Sequence, residues 1–313
     1  MRHHILAACT AALLLSAASP LVSAAENGKA TSKKITPATP AIPAVTVYAA
    51  GDIADCRKKP PAESMAARTA TLIATGLSKD ASARAITLGD NTYPVGKPDE
   101  FNKCYEPTWG QFKDRTLPSP GNHDYAMPKA LGYYNYFGDL AGPERRGYYA
   151  SQLGKWLVLS LNSNLDPQQM QVQLNWLKEE LAKNKQNCTL AFWHHPVFSS
   201  GGHGNNDNMQ AAWKMLAAAK ADIVLTSHDH DYERFAPLDA NGDRDDKRGI
   251  RSFVVGTGGA KLTPMFLPRG NTEIRDNSTH GVLKLSLAEK SYEWEFLPVP
   301  GGSFTDKGKD VCH

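Results

Sequence analysis

The sequence predicts an α/β protein, with two mixed sheets packed face to face and flanking helices outside them: a four-layer α/β/β/α sandwich. Three observations carry this prediction. Short apolar, β-branched runs recur along the chain, an amphipathic helical pattern covers Pro167 to Lys183, and strand-like runs fill the segment after His230. With 313 residues, 41% of them hydrophobic and 21% charged, the chain can bury one large core, so a single folded domain suffices.

In chain order, Val45 to Ala50, Ala83 to Leu88, Thr189 to Trp193 and Ile223 to Thr226 read as strands, most of them buried on both faces. The helix over Pro167 to Lys183 sets Met170, Leu174, Leu177 and Leu181 on one face with Gln and Lys opposite, the spacing of a helix laid on a sheet. A second helix is predicted over Met209 to Lys220. Beyond His230 the pattern becomes antiparallel: Tyr232 to Leu238, Arg251 to Val255, Val282 to Leu287 and Tyr292 to Leu297 are runs separated by Gly, Asp and Asn.

The amino terminus carries Arg2, an apolar stretch from Ile5 to Val22, and small residues ending in Val22-Ser23-Ala24, the pattern of a secretory signal. Residues 1–24 are therefore expected to be a signal peptide and residues 25–43 a disordered linker rich in Thr, Ala, Lys and Pro. Residues 44–313 form the folded domain. The expected location is periplasmic or secreted, with no stable membrane span. Loss of Arg2 lowers the formal charge from +3 by one, which argues against a strongly charged partner. No basic block alternates with aromatics, so nucleic acid is not expected, and no protein partner can be inferred.

Export leaves Cys56, Cys104, Cys188 and Cys312, an even number in an oxidising compartment, for which three pairings are possible. Cys56 and Cys104 lie just past the carboxyl ends of strands, whereas Cys188 precedes the amino end of its strand at the opposite rim. The expected bridges are Cys56 with Cys104 and Cys188 with Cys312. As structural staples closing long loops, each is worth roughly 4 kcal/mol.

Polar clusters follow the strands: Asp52 behind Gly51, Asp90 with Tyr93 in Gly-Asp-Asn-Thr-Tyr, Asn122-His123 in Gly-Asn-His-Asp, His194-His195 before Pro196, and His228-Asp229-His230. Taken singly, each has a plain structural account as a turn, a helix cap or a buried His bonded to backbone. The strongest alone is His228-Asp229-His230, because alternate residues on an extended segment point the same way. Open α/β sheets gather their chemistry beyond the carboxyl ends of the strands, where these clusters can converge to offer oxygen and nitrogen ligands to two metal ions.

In this order the clusters resemble the metallophosphoesterase superfamily, the calcineurin-like phosphoesterase domain, and within it the purple acid phosphatases, from about Val45 to His230. The resemblance implies one ion held by Asp52, Asp90, Tyr93 and His230 and a second held by Asp90, Asn122, His194 and His228, with Asp90 shared. A phenolate ligand prefers a hard trivalent ion, so Fe(III) is implied at the first position, with Zn, Mn or Fe(II) at the second. The implied reaction is in-line attack of a metal-bridging hydroxide on a small phosphomonoester. His123 and His203 are implied as groups beside the substrate phosphate and leaving group, while His195 either assists or packs below the site. Departures are Ala54, where many relatives carry a His, Ser227 for a usual Gly, and Asp124 for a frequent Glu. Two other readings stay open: a phosphodiesterase acting on cyclic nucleotides or lipid head groups, and a non-catalytic module that binds phosphorylated ligands through its metals. Asp239 to Asp245 imitates a calcium loop without its Gly and Glu, and is expected to be a hairpin loop.

Overall fold

The computed structural model describes residues 43–313 apart from 187 and 266. The expected signal peptide lies outside the described residues, and so does the expected linker up to residue 42. Among the described residues no helix is long and apolar enough to cross a membrane.

The strands are β1 (Val45–Ala50), β2 (Arg84–Leu88), β3 (Thr116–Ser119), β4 (Tyr149–Leu153), β5 (Trp156–Ser160), β6 (Cys188–Phe192), β7 (Ile223–Thr226), β8 (Tyr232–Phe235), β9 (Arg251–Val255), β10 (Thr272–Asp276), β11 (Gly281–Leu287), β12 (Ser291–Pro298) and β13 (Lys307–Val311). One sheet has the order β13-β12-β11-β1-β2-β3 and the other β10-β8-β9-β7-β6-β5-β4. Both are mixed. In the first, β1, β2 and β3 are parallel; in the second, β5, β6, β7 and β9 are parallel.

Alternation along the central strands explains the layering. In β6, Leu190 and Phe192 enter the core between the sheets, which also holds Val47, Ala49, Leu283 and Leu285 of the first sheet. Ala191 and Trp193 point the other way, into a second core with Leu177, Ala212, Trp213 and Leu216 from the helices Pro167–Lys183 and Gln210–Ala218. Ile223 and Leu225 likewise divide from Val224 in β7. Such strands are buried at every position because both faces are covered. The predicted four layers are thus present, with one helix layer on each outer face.

The helix Met65–Lys79 covers the first sheet. Ser64 caps it by accepting from the Ala67 N–H at 3.2 Å, and Ala66, Ala70, Ile73 and Leu77 form its buried stripe. The helix Pro167–Lys183 starts with an Asp166 cap on the Gln169 N–H and Pro167 in its first turn.

Some elements were not expected. β3 contains Pro118, which breaks a strand pattern but is tolerated because β3 is an edge strand. The β4–β5 hairpin and the Thr-rich helix Met65–Lys79 also went unread. The antiparallel expectation after His230 needs one correction: β9 runs antiparallel to β8 but parallel to β7, since it slots between them. The predicted Tyr232 to Leu238 strand ends at Phe235, ahead of Pro237. Asp239 to Asp245 is a loop closed on itself, the Asp239 carboxylate accepting from the Asn241 and Asp243 N–H groups.

Both expected disulfides are present, with Cα–Cα distances of 5.8 Å for Cys56–Cys104 and 5.5 Å for Cys188–Cys312. The second ties β6 of one sheet to the end of β13 of the other. The bridges close loops spanning 48 and 124 residues, so the longer one constrains the unfolded chain by about 4–5 kcal/mol. Replacing Cys188 and Cys312 together by Ser should lower the unfolding free energy by that order, read from the denaturant midpoint. An unchanged midpoint would show that the bridge contributes nothing.

Candidate metal centre

Parallel strands bring their carboxyl ends to one rim. Asp52 follows β1, Asp90 and Tyr93 follow β2, Asn122 follows β3, His194 follows β6, and His228 and His230 follow β7. Three of these residues sit in left-handed backbone: Asp52 at φ 57°, Asp90 at φ 50° and His228 at φ 70°. Non-glycine residues rarely adopt it, and such conformations concentrate at functional sites. Here they turn the chain sharply off each strand so that the side chain faces the rim.

The seven side chains form two sets. In the first, Tyr93 Oη stands 2.8 Å from Asp52 Oδ1 and 3.2 Å from both Asp90 Oδ2 and His230 Nε2. His230 Nε2 is 3.2 Å from Asp52 Oδ1. In the second, His194 Nε2 stands 2.9 Å from Asn122 Oδ1, 3.1 Å from His228 Nδ1 and 3.5 Å from Asp90 Oδ2. The Asp90 Oδ2 atom therefore belongs to both. Ligands at about 2.0–2.2 Å from one ion are separated from each other by roughly 3 Å, which is the spacing seen in each set.

The hydrogen bonds behind the ligands point to the same use. His194 Nδ1 lies 2.9 Å from the Leu88 carbonyl oxygen and His230 Nδ1 lies 2.8 Å from that of Lys261. A carbonyl only accepts, so each Nδ1 carries the proton and each Nε2 turns its lone pair to the rim. Asp52 Oδ2 accepts from the His228 N–H at 2.9 Å, and Asp90 Oδ1 accepts from the His123 N–H at 2.7 Å. The remaining carboxylate oxygens are left facing the imidazoles and the phenol. Such a set of electron-pair donors fits cations.

Electrostatics without a cation agree. Burial opposes a charge on His194, but Asp90 outweighs it and raises the pKa to about 9; burial against Asp52 gives His230 the same value. Burial and then the neighbouring His194, His195 and His203 hold His228 down at about 2. Burial, followed by the charges of Asp52 and Asp90, pushes the Tyr93 phenol well above its usual range. A proton on His194 or His230 occupies the place of a metal, and a bound cation inverts this logic by favouring bare imidazole and phenolate.

Close packing leaves little freedom here. A Cβ on Gly89, whose φ is +89°, would lie 2.6 Å from His194 Nδ1, and one on Gly121 would lie 2.1 Å from Asp90 Oδ1. Gly256 to Gly259 form the tight turn beside the site, the Gly258 and Ala260 N–H groups donating to the Gly51 and Asp52 carbonyls.

The other three expected histidines are also at this rim. His123 Nε2 lies 3.8 Å from Asp90 Oδ2, and its Nδ1 bonds to the Pro94 carbonyl. His195 is buried with Nδ1 at 2.8 Å from Ser163 Oγ, and burial together with His194 lowers its pKa to about 3. It is a neutral ring packed beside His194 and His228. His203 is half exposed and stacks on His228 with centroids 4.4 Å apart. Sequence reading assigned no role to Asp229, whose carboxylate bonds to His203, or to Ser163. The acids interleaved with the ligands in His228-Asp229-His230-Asp231 were the available signal, although the segment is a series of bends and not the extended run expected, with His228 left-handed.

Fold and cluster together define an α/β sandwich whose rim gathers side chains able to hold metal ions. The chain belongs to the calcineurin-like phosphoesterase family, whose model matches residues 45–232. It is 25% identical to tartrate-resistant acid phosphatase type 5 of Homo sapiens over 256 residues, 70% of this chain and 76% of that one. Purple acid phosphatase 18 of Arabidopsis thaliana is 28% identical over 125 residues, a match covering 38% of this chain and only 28% of the plant protein. Among solved structures, the purple acid phosphatase PPD1 from yellow lupin (Lupinus luteus) superposes with a TM-score of 0.68 at 19% identity, covering 85% of this chain and 53% of the lupin chain.

The tightness of the rim gives a stability test. Gly89→Ala combines a strained φ with a clash against His194 and should cost roughly 2–4 kcal/mol. Gly301→Ala, at a similar φ of +93° but with open space around it, should cost about 1–2 kcal/mol. Equal thermal midpoints for the two variants would refute the packing account.

Proposed function

We propose that residues 44–313 form an exported dinuclear metallophosphatase that hydrolyses small phosphomonoesters in the manner of purple acid phosphatases. The observation that carries this reading is the single oxygen, Asp90 Oδ2, within 3.2 Å of Tyr93 Oη and 3.5 Å of His194 Nε2, common to both ligand sets. Asp52, Asp90, Tyr93 and His230 would hold one ion and Asp90, Asn122, His194 and His228 the other. The phenol at the first position supports Fe(III) there, with Zn, Mn or Fe(II) at the second. Bound there, the ions supply Lewis acidity toward phosphate oxygens and a water acidic enough to attack near neutral pH.

The chain's own side chains do the rest. Asp52 and Asp90 set the negative charge that balances the cations, and the backbone N–H groups of His228 and His123 fix their orientation. His123 stands at the edge of the shared carboxylate, suited to bind a phosphate oxygen. His203, stacked over His228, is suited to protonate the leaving group, a contribution of about a hundredfold or more. His195 is better read as a neutral packing residue than as an acid, given its Ser163 bond and burial. The names of the relatives support an acid phosphatase. Two disulfides and the amino-terminal pattern support export to an oxidising compartment.

Hydrolysis of p-nitrophenyl phosphate and of bis(p-nitrophenyl) phosphate, with metal analysis of the same sample, tests the reading. The monoester should be the faster substrate, and Asp90→Asn should lower kcat/KM by roughly a thousandfold while reducing bound metal. Faster diester cleavage would replace phosphomonoesterase by phosphodiesterase. Full metal content with no cleavage of either ester would favour a binding module. The Fe(III) assignment is separate: wild type should show a visible tyrosinate band that Tyr93→Phe abolishes, and a colourless zinc or manganese protein would remove iron from the account.

A further inference from the structure

We infer that Asp229 is a positioning residue that turns His203 into an oriented proton donor for the leaving group. The inference deepens the phosphomonoesterase reading and rests on it. Asp229 is fully buried. Its Oδ1 accepts from the His203 backbone N–H at 2.7 Å and lies 3.1 Å from His203 Nδ1; its Oδ2 accepts from Ser199 Oγ. A carboxylate only accepts, so the ring proton sits on Nδ1 and Nε2 faces away from the acid. The His203 side chain is 49% exposed, so the part of the ring turned away from Asp229 can meet an incoming ester.

The placement follows from tight bends after β7, not from an extended strand: His228 is left-handed at φ 70°, and the Asp229 and Asp231 N–H groups bond to the Ser227 and Asp229 carbonyls two residues back. His228 and His230 thereby join the ligand sets while the Asp229 carboxylate meets the neighbouring loop 198–204. That loop is built around the acid: a Cβ on Gly201 would fall 2.2 Å from Asp229 Cγ. It is anchored a second time by Glu233, which accepts from the Ser200 N–H at 2.7 Å, and by Arg269, whose Nε donates to the Ser199 carbonyl at 3.1 Å. Two buried acids from one segment thus hold the loop, and only Asp229 touches the imidazole.

In the reaction, the P–O bond to the leaving group breaks with its electron pair on the leaving oxygen. That oxygen takes the proton from Nε2 of the His203 imidazolium, while the attacking water supplies the new P–O bond. The imidazole keeps its Nδ1 proton on Asp229, and the proton released by the water returns to Nε2 through solvent. Alcohol and inorganic phosphate leave, and the histidine is restored. A carboxylate behind an imidazole fixes its tautomer and its orientation, which matters most when the leaving group is a poor one.

The test compares an alkyl phosphate, glycerol phosphate, with p-nitrophenyl phosphate, whose leaving group hardly needs a proton. Asp229→Asn and His203→Ala should each lower kcat about a hundredfold on glycerol phosphate and less than tenfold on p-nitrophenyl phosphate. The double variant should be no worse than either single one. Equal losses on both substrates, or additive losses in the double variant, would overturn the inference. Nitrogen NMR of labelled histidine in the isolated protein, zinc-exchanged if it is coloured, gives a readout independent of turnover. Neutral His203 should carry its proton on Nδ1 and move it to Nε2 in Asp229→Ala; an Nε2 proton in the wild type would overturn the inference. A wild type that cleaves neither ester would sink the phosphatase reading, and the tautomer would still decide whether Asp229 holds His203.

Discussion

Electron-rich atoms about 3 Å apart repel one another, and they repel most strongly where water is excluded. Once the protons of Tyr93, His194 and His230 are removed, Asp52, Asp90, Tyr93, Asn122, His194, His228 and His230 stand in that unfavourable way at the rim shared by both sheets. The rest of the domain supplies what such an arrangement needs. Backbone N–H groups quieten the rear oxygens of Asp52 and Asp90, and backbone carbonyls fix the rear nitrogens of His194 and His230. The front atoms keep their lone pairs, which is what a cation requires and what a folded chain would otherwise avoid.

Much of this was legible because ligand chemistry and strand chemistry use different residues. Val45 to Ala50 and Ile223 to Thr226 are mostly apolar or β-branched, and a sudden Gly-Asp or His-Asp-His after such a run stands out against them. The disulfide pairing was legible for a related reason, since strand direction decides which rim a cysteine occupies. Legibility failed where one residue serves two demands. Pro118 closes β3 to a strand reading yet costs little at a sheet edge. The helix Met65–Lys79 uses Thr69 both to bond within the helix and to donate to the Gly258 carbonyl, so its Thr content hides its pattern.

Roles that depend on distance were illegible altogether. Nothing in Gly-Gly-His-Gly says that His203 meets the carboxylate of Asp229, 26 residues downstream, and nothing in His194-His195 separates a rim imidazole from one packed against Ser163. The first arises only when the 198–204 loop folds over the β7 end, and the second only when the chain beyond β5 meets the chain beyond β6. The same applies to the tight glycines, whose neighbours come from other strands.

Each ligand set draws on both layers of the sandwich. Asp52, Asp90 and Tyr93 hang from the six-stranded sheet and His230 from the seven-stranded one; Asn122 with Asp90, and His194 with His228, repeat the division. At the far rim Cys188–Cys312 joins the same two layers covalently. An ion seated among those donors would act as a rivet through a laminate already hinged at its other end. Shear between the layers would then be the motion that chemistry must forbid, and mechanical stiffness and the capacity to load metal would become one property.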